Sequence, residues 1–363
     1  MEKKEYLTNM QIGLLVLFAS IADTLFFVPG EAVTIVFQDV WISIILATGI
    51  TSVLTIYPLA QMGMNFPGCT IIQYSNYILG KTGGKLAGGL LVFSFFQLHA
   101  WSLREFSELG SVFLPETPFL VFFIVLSFAA TLAAFQGIEV IGRCAQFIFP
   151  LGLMALILVA LINMSDINLD NLRPVLETNL SALVKSVLSP LDWLTIGVAF
   201  GVITANSNNP QGLKKAGIIA IGTSGLILTV FSLVMVSVFG PFFLANTNFP
   251  LLLLASYGRM GSLEAVIITV WFAWIFIRAA LYAYVTCISI LHLFGLKDLR
   301  SVILGEAILA AAYSLHLYSS FMELSYHFSI GHLYYEIMQI LIPLGIWMVF
   351  LIRKQKICSL SKE

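Results

Sequence analysis

Apolar runs of about 20 residues, the length an α-helix needs to cross roughly 30 Å of hydrocarbon, recur along the whole of this 363-residue chain. Hydrocarbon offers no water to unpaired backbone groups, so only helices and closed barrels can span it, and runs this long and continuous read as helices. The composition agrees: 59% of residues are hydrophobic, 10% are charged and the mean hydropathy is +0.96. Those values exclude an ordinary soluble domain. A net charge of −1, without a basic stripe interleaved with aromatics, argues against a nucleic-acid partner. Cys69, Cys144, Cys287 and Cys358 are scattered and suggest neither a disulfide framework nor a metal site, and no cofactor is implied. Lys3 and Lys4 precede the first apolar run without a small-x-small cleavage site after it, so a retained first helix is expected.

Hydropathy predicts ten spans, at about 11 to 30, 40 to 62, 86 to 113, 118 to 136, 143 to 163, 191 to 208, 215 to 240, 262 to 294, 301 to 320 and 333 to 352. With both termini cytoplasmic, the inner side collects Lys3, Lys4, Lys81, Lys85, Arg143, Lys214, Lys215, Lys297, Arg300, Arg353, Lys354, Lys356 and Lys362. Only Arg173, Lys185 and Arg259 fall outside, and Arg104 and Arg278 lie within helices. This asymmetry fits the positive-inside rule, and a count wrong by one helix would scramble it. Residues 64 to 84 contain a short amphipathic stretch expected at the cytoplasmic interface. The external connection 164 to 190 suggests a short surface helix, and "FPLLLLASYG" within 241 to 261 suggests another, folded over a vestibule. No Ser- or Gly-rich linker divides the chain, which reads as one membrane domain over residues 1 to 363.

Two spans are interrupted. The first carries "SIADTLFFVPG" and the sixth "VAFGVITANSNNPQG", with Pro29 and Pro210 at comparable places in two halves of five helices, about 11 to 163 and 191 to 352. Interrupted spans in matching positions point to an inverted-repeat transporter fold whose site forms where the unwound helices meet. Unwinding frees backbone donors and acceptors, which hydrocarbon tolerates only around a cavity or a ligand. An amino acid, with a carboxylate and an ammonium, matches such groups. A single interruption would more often mark a mere kink, since Gly and Pro are common in membrane helices.

At these residues the chain resembles the spore germination B-subunit family, the membrane component of nutrient germinant receptors, within the amino acid-polyamine-organocation superfamily. The resemblance runs over nearly the whole length. It is carried by "LFFVPG" closing the first helix, "NFPGCTIIQYSNYILGKTGGKLAG" after the second, "DINLDNLRPVL" in the external loop and "LEAVIITVWF" in the eighth. It implies an all-α, LeuT-like fold with helices 1 and 6 broken, and binding of an amino acid or similar small germinant. It also implies assembly with an A subunit and a C-subunit lipoprotein in the spore inner membrane. Where the family's first helix usually reads Gly-x-Gly, this chain has Ala22, Asp23 and Thr24. The change narrows the space for a ligand carboxylate and sets a negative charge beside it.

Asp23 and Arg278 are the charges placed deepest by sequence position, and ionisable residues inside a membrane are costly enough to be functional by default. The LeuT-like arrangement makes the first and eighth helices neighbours, where related sodium-coupled transporters hold a cation. The Arg278 guanidinium is expected to take that cation's place and to pair with Asp23, as a strut or as part of the site. The predicted pocket comprises Ala22, Asp23, Thr24, Gln97, Leu98, Phe200, Gly201, Thr204, Ile277 and Arg278, with Phe200 as an apolar wall. His99 reads first as a hydrogen-bonded packing residue. Arg104 and Glu108, like Glu139 and Arg143, have the i,i+4 spacing of helix pairs and read as interfacial, with Glu105 beside them near the external end. Glu306 and His316 suggest either a proton path or a peripheral helix contact. No nucleophile with a neighbouring base, HExxH, phosphate loop or paired carboxylates at working separation appears, so an enzyme is not expected. The leading expectation is a receptor subunit that binds a germinant and signals to its partners. A secondary transporter of amino acids and a ligand-blind scaffold subunit are the alternatives.

Overall fold

The structure, a computed structural model, describes residues 5–258, 263–317 and 333–360. The start of the expected eighth span at 262, the end of the ninth at 318 to 320, and Lys3, Lys4, Arg259 and Lys362 lie outside the described residues. Secondary structure is nearly all helical, and one isolated bridge, Leu7 to Ser207, is the sole β pairing among the described residues.

The expected first span is two half-helices, α1 (Asn9–Ile21) and α2 (Thr24–Val36). α1 starts on a capping box, in which Thr8 Oγ1 accepts from the Gln11 amide at 3.2 Å and Gln11 Oε1 accepts from the Thr8 amide at 2.9 Å, satisfying two otherwise orphaned donors. α2 passes through a 3-10 turn, Phe37–Asp39, into α3 (Val40–Thr51), a π turn at Ser52–Ile56 and α4 (Tyr57–Asn65). α5 (Ile71–Phe113) opens as a short segment and turns at Gly80, whose φ of +83° a side chain would resist, before the long third span. α6 (Phe119–Gln136) and α7 (Ile138–Ile162) follow, joined at Gly137.

The sixth span differs most from expectation. α8 (Leu180–Thr195), a 3-10 turn at Ile196–Ala199, α9 (Phe200–Ile203) and a second 3-10 turn at Thr204–Asn206 form one run. The surface helix expected before residue 191 is therefore the first half of this span. α10 (Leu213–Phe239) comes next, then the short α11 (Pro241–Leu244) and α12 (Pro250–Tyr257). The latter two pack on α2, where a Cβ on Gly30 would lie 3.0 Å from the Thr247 carbonyl oxygen. α13 (Glu264–Phe294), α14 (Leu299–Leu317) and α15 (Leu333–Arg353) complete the described chain.

By length and apolarity, 8 helical runs among the described residues could cross a membrane. The difference from ten has two causes. Thr24–Asn65 is a single 42-residue run, leaving Asn9–Ile21 as a short separate piece; Leu299–Leu317 is long enough but carries Arg300, Glu306 and His316 and is not among the eight. α5 and α13 run side by side through the centre, with α1, α6, α7 and α14 packed around α13. The connection before α8 is held by the buried Asp39, which accepts from the Leu176 amide at 2.9 Å and from the Thr178 hydroxyl at 2.9 Å.

Candidate ligand site at the two helix breaks

The first break is Ala22–Asp23, between α1 and α2. The second is the 3-10 turn Ile196–Ala199. Neither contains a proline. Pro29 lies inside α2 and Pro210 opens a 3-10 turn beyond the sixth span, so the two prolines flank the breaks rather than make them.

Hydroxyl groups close the carbonyls that the breaks release. Thr24 donates to the Ser20 carbonyl across the first break. Ser20 in turn donates to the Leu194 carbonyl of the other break at 3.0 Å, and Tyr282 of α13 donates to the Ile196 carbonyl. The breaks touch at Gly197, where a Cβ would lie 2.9 Å from Ser20 Oγ and 3.2 Å from Val16 Cγ1. Serine and threonine hydroxyls competing for carbonyl oxygens are a recognised way of interrupting a helix.

Asp23 sits at the first break, fully buried, and its carboxylate pairs with the Arg278 guanidinium. The same guanidinium reaches α5, donating to Glu105 Oε2 at 2.6 Å and, through Nε, to Ser102 Oγ at 3.1 Å. Two indoles complete the shell: Trp271 Nε1 donates to Asp23 Oδ1 and Trp101 Nε1 to Glu105 Oε2, each at 2.9 Å. One guanidinium thus faces two carboxyl groups, all three side chains buried, where charges are tolerated only when paired. Around Trp271, Phe26, Phe106 and Phe113 pack within 6 Å, ring centre to ring centre.

The remaining predicted residues separate into groups. Ala22 and Thr24 are buried at the first break, and Ile277 is buried on α13 beside Arg278. Leu98 lines a cavity of about 10 Å³ together with Trp101, Asp192, Trp193, Ile196 and Tyr335; that is room for at most one water. Gln97 turns instead toward the outer helices, donating to the Tyr313 hydroxyl at 3.2 Å and accepting from Tyr334. Phe200, Gly201 and Thr204 follow the second break and pack on neighbouring helices. The Phe200 ring abuts Gly217 of α10, a Cβ on Gly201 would lie 2.8 Å from Leu59 of α4, and Thr204 abuts Gly63 of α4.

Other charged residues also moved from their sequence-based places. Glu105, expected near the interface, is fully buried on Arg278. Arg104 and Glu108 do pair, but Arg104 is buried, donates to the Leu315 carbonyl at 3.3 Å and lies over the Phe119 ring. Glu139 and Arg143 pair as an exposed i,i+4 couple. Glu306 does not meet His316, which is exposed; it pairs with His99 at 2.7 Å, both side chains 1% exposed. Among the described residues no three His, Cys, Asp or Glu side chains converge as a metal site would require.

Comparison with known proteins brings the chain's relatives into view. The sequence profile of the family described as spore germination protein matches residues 6–325. The chain is 26% identical to spore germination protein KB of Bacillus subtilis, over 98% of its own length and 97% of that protein. It is 28% identical to spore germination protein YndE of the same organism over 56% of this chain and 55% of that protein. Among solved structures, that of MhsT in complex with L-phenylalanine superposes with a TM-score of 0.72 at 11% identity, covering 96% of this chain and 90% of MhsT. At that identity the likeness shows the fold, an all-α membrane architecture of the LeuT-like class.

Proposed function

Since the chain belongs to the spore germination protein family, as the match over residues 6–325 shows, we propose that it is the membrane subunit of a nutrient germinant receptor. It binds an amino acid or similar small germinant where the first and sixth spans are broken, and passes the change to A and C partner subunits in the spore inner membrane. The reading puts both termini on the cytoplasmic side, which the excess of Lys and Arg in the connections assigned there supports.

The observation that carries the reading is Asp23 joined to Arg278 and Glu105 at the first break. An amino acid presents an ammonium and a carboxylate, and the cluster presents carboxyl groups and a guanidinium in one place. Asp23 stands where a backbone-only site would receive the ligand's carboxylate, so the ammonium is the group that faces it. Support comes also from the neighbouring fold, whose solved example holds L-phenylalanine. The cavity at the second break has room for at most one water, so an amino acid occupies that cavity only with an opening of the breaks. A ligand that favours the opened arrangement shifts the population toward it, and that shift is the signal.

The alternative, net transport by alternating access, uses the same opening. Purified protein in liposomes separates the two readings. Saturable binding of a labelled amino acid without accumulation inside the vesicles is the expected result. Sustained saturable uptake identifies a transporter, and neither binding nor uptake, with germinant preference unchanged in Asp23 variants that still assemble, identifies a scaffold.

A further inference from the structure

Away from the breaks, a groove of about 520 Å³ opens between the first half of α1 and the first half of α10. Its floor is apolar and buried, formed by Leu14 and Leu17 of α1 and Ala220 of α10. The close approach that shapes it occurs at Gly13, where a Cβ would lie 3.3 Å from the Ala216 carbonyl oxygen. Both helices start on the same side of the membrane. Along α10 the groove runs from Gly212 to Thr223, about 16 Å at 1.5 Å per residue, or the depth of one leaflet.

The mouth has a different chemistry. Lys215 and Asn209 line it, both exposed, and no lining residue is acidic. The adjacent Lys214 is engaged elsewhere, its ammonium 4.5 Å from the centre of the Tyr57 ring. An apolar slot one leaflet deep, with a cation and an amide at the headgroup level, is complementary to a lipid with an anionic head. Basic pockets between helices on the cytoplasmic side recognise lipids in this way.

We propose that this groove is a binding site for an anionic phospholipid, with an acyl chain along Leu14, Leu17 and Ala220 and the phosphate at Lys215. On one side the site adjoins α1, the half-helix that precedes the first break, and on the other α10. A lipid seated there bridges α1 to α10 and favours the arrangement in which the two are packed, so its occupancy opposes any opening that swings α1 outward.

Native mass spectrometry of the full chain, presented with equal amounts of phosphatidylglycerol and phosphatidylcholine carrying identical acyl chains, tests the site. The wild-type protein is expected to retain phosphatidylglycerol about fivefold over phosphatidylcholine, the preference one surface lysine can supply. Lys215→Gln, at an exposed position, should bring the ratio near one, while Lys214→Gln should leave it unchanged. Equal retention of the two lipids by the wild-type protein overturns the proposal, as does a preference that survives Lys215→Gln or disappears equally with Lys214→Gln.

Discussion

Ser20 and Gly197 hold the two helix breaks against one another: the Ser20 hydroxyl donates to the Leu194 carbonyl at 3.0 Å, and a Cβ on Gly197 would come within 2.9 Å of that hydroxyl oxygen. The absence of a side chain at position 197 is what allows the serine of one broken helix to serve the backbone of the other.

Gly197→Ala should therefore displace Ser20 and take its hydroxyl from the Leu194 carbonyl. A cost of about 1–3 kcal/mol is expected from overpacking and the lost hydrogen bond. Ser20→Ala removes the obstruction as well as the bond, so the double variant should be less destabilised than the sum of the two singles. Thermal unfolding of the four proteins in detergent measures this coupling; strict additivity would show that the two residues do not share a contact.

Arg278 is the only described cation on Asp23 and Glu105. Arg278→Met leaves two carboxyl groups buried without their guanidinium, and should cost about 3–5 kcal/mol or prevent accumulation of the protein. Neutralising all three, as Asp23→Asn, Glu105→Gln and Arg278→Met together, should recover most of the loss, since buried ion clusters are often replaceable by neutral side chains of similar volume. Yield and melting temperature report stability. Amino acid binding reports function, and the triple variant should be stable yet bind at least about tenfold more weakly.

Of the candidate site, the pairing of Asp23 with Arg278 is the part legible in the sequence, and the reasons are specific. Asp23 and Arg278 stand out because an ionisable group inside an apolar run is expensive unless paired. Glu105 was hidden by its neighbours: Arg104 and Glu108 have the spacing of a helix pair, and the eye groups Glu105 with them. Yet consecutive residues on a helix point about 100° apart, so Glu105 looks toward Arg278 while Arg104 looks toward Phe119. The prolines misplace the breaks because they mark a missing ladder bond, whereas here the interruption is made by Ser20, Thr24 and Tyr282, whose hydroxyls take carbonyl oxygens. The Tyr282 contribution has no local signal at all, since it crosses from a helix 86 residues away in sequence.

That long-range cap gives a further test. Tyr282 donates to Ile196 at the start of the 3-10 turn, and Tyr282→Phe keeps the ring while removing the donor. The carbonyl left behind is buried, so the expected loss is about 1–3 kcal/mol. A ligand able to donate to that carbonyl, such as an ammonium, should then stabilise the variant more than the wild-type protein. Ligand-induced shifts in melting temperature of the two proteins check it, and an equal or smaller shift in the variant would remove Ile196 from the list of ligand acceptors.

The buried pair His99 and Glu306 makes the last prediction, because it joins the central α5 to the outer α14 by a 2.7 Å contact with both side chains 1% exposed. Among the described residues Glu306 Oε2 and His99 Nε2 have no hydrogen-bond partner, so the 2.7 Å contact is the hydrogen bond that joins the two side chains to the rest of the core. His99→Leu takes away Glu306's partner and leaves a carboxyl group in an apolar contact, at a cost of about 2–3 kcal/mol. Glu306→Gln keeps an oxygen that can accept from the imidazole and should cost about 1 kcal/mol or less. Replacing both by leucine removes the polar groups together, and so should be milder than His99→Leu alone. Melting temperatures should follow that order, with His99→Leu lowest; if Glu306→Gln is as damaging as His99→Leu, the contact carries more than a hydrogen bond.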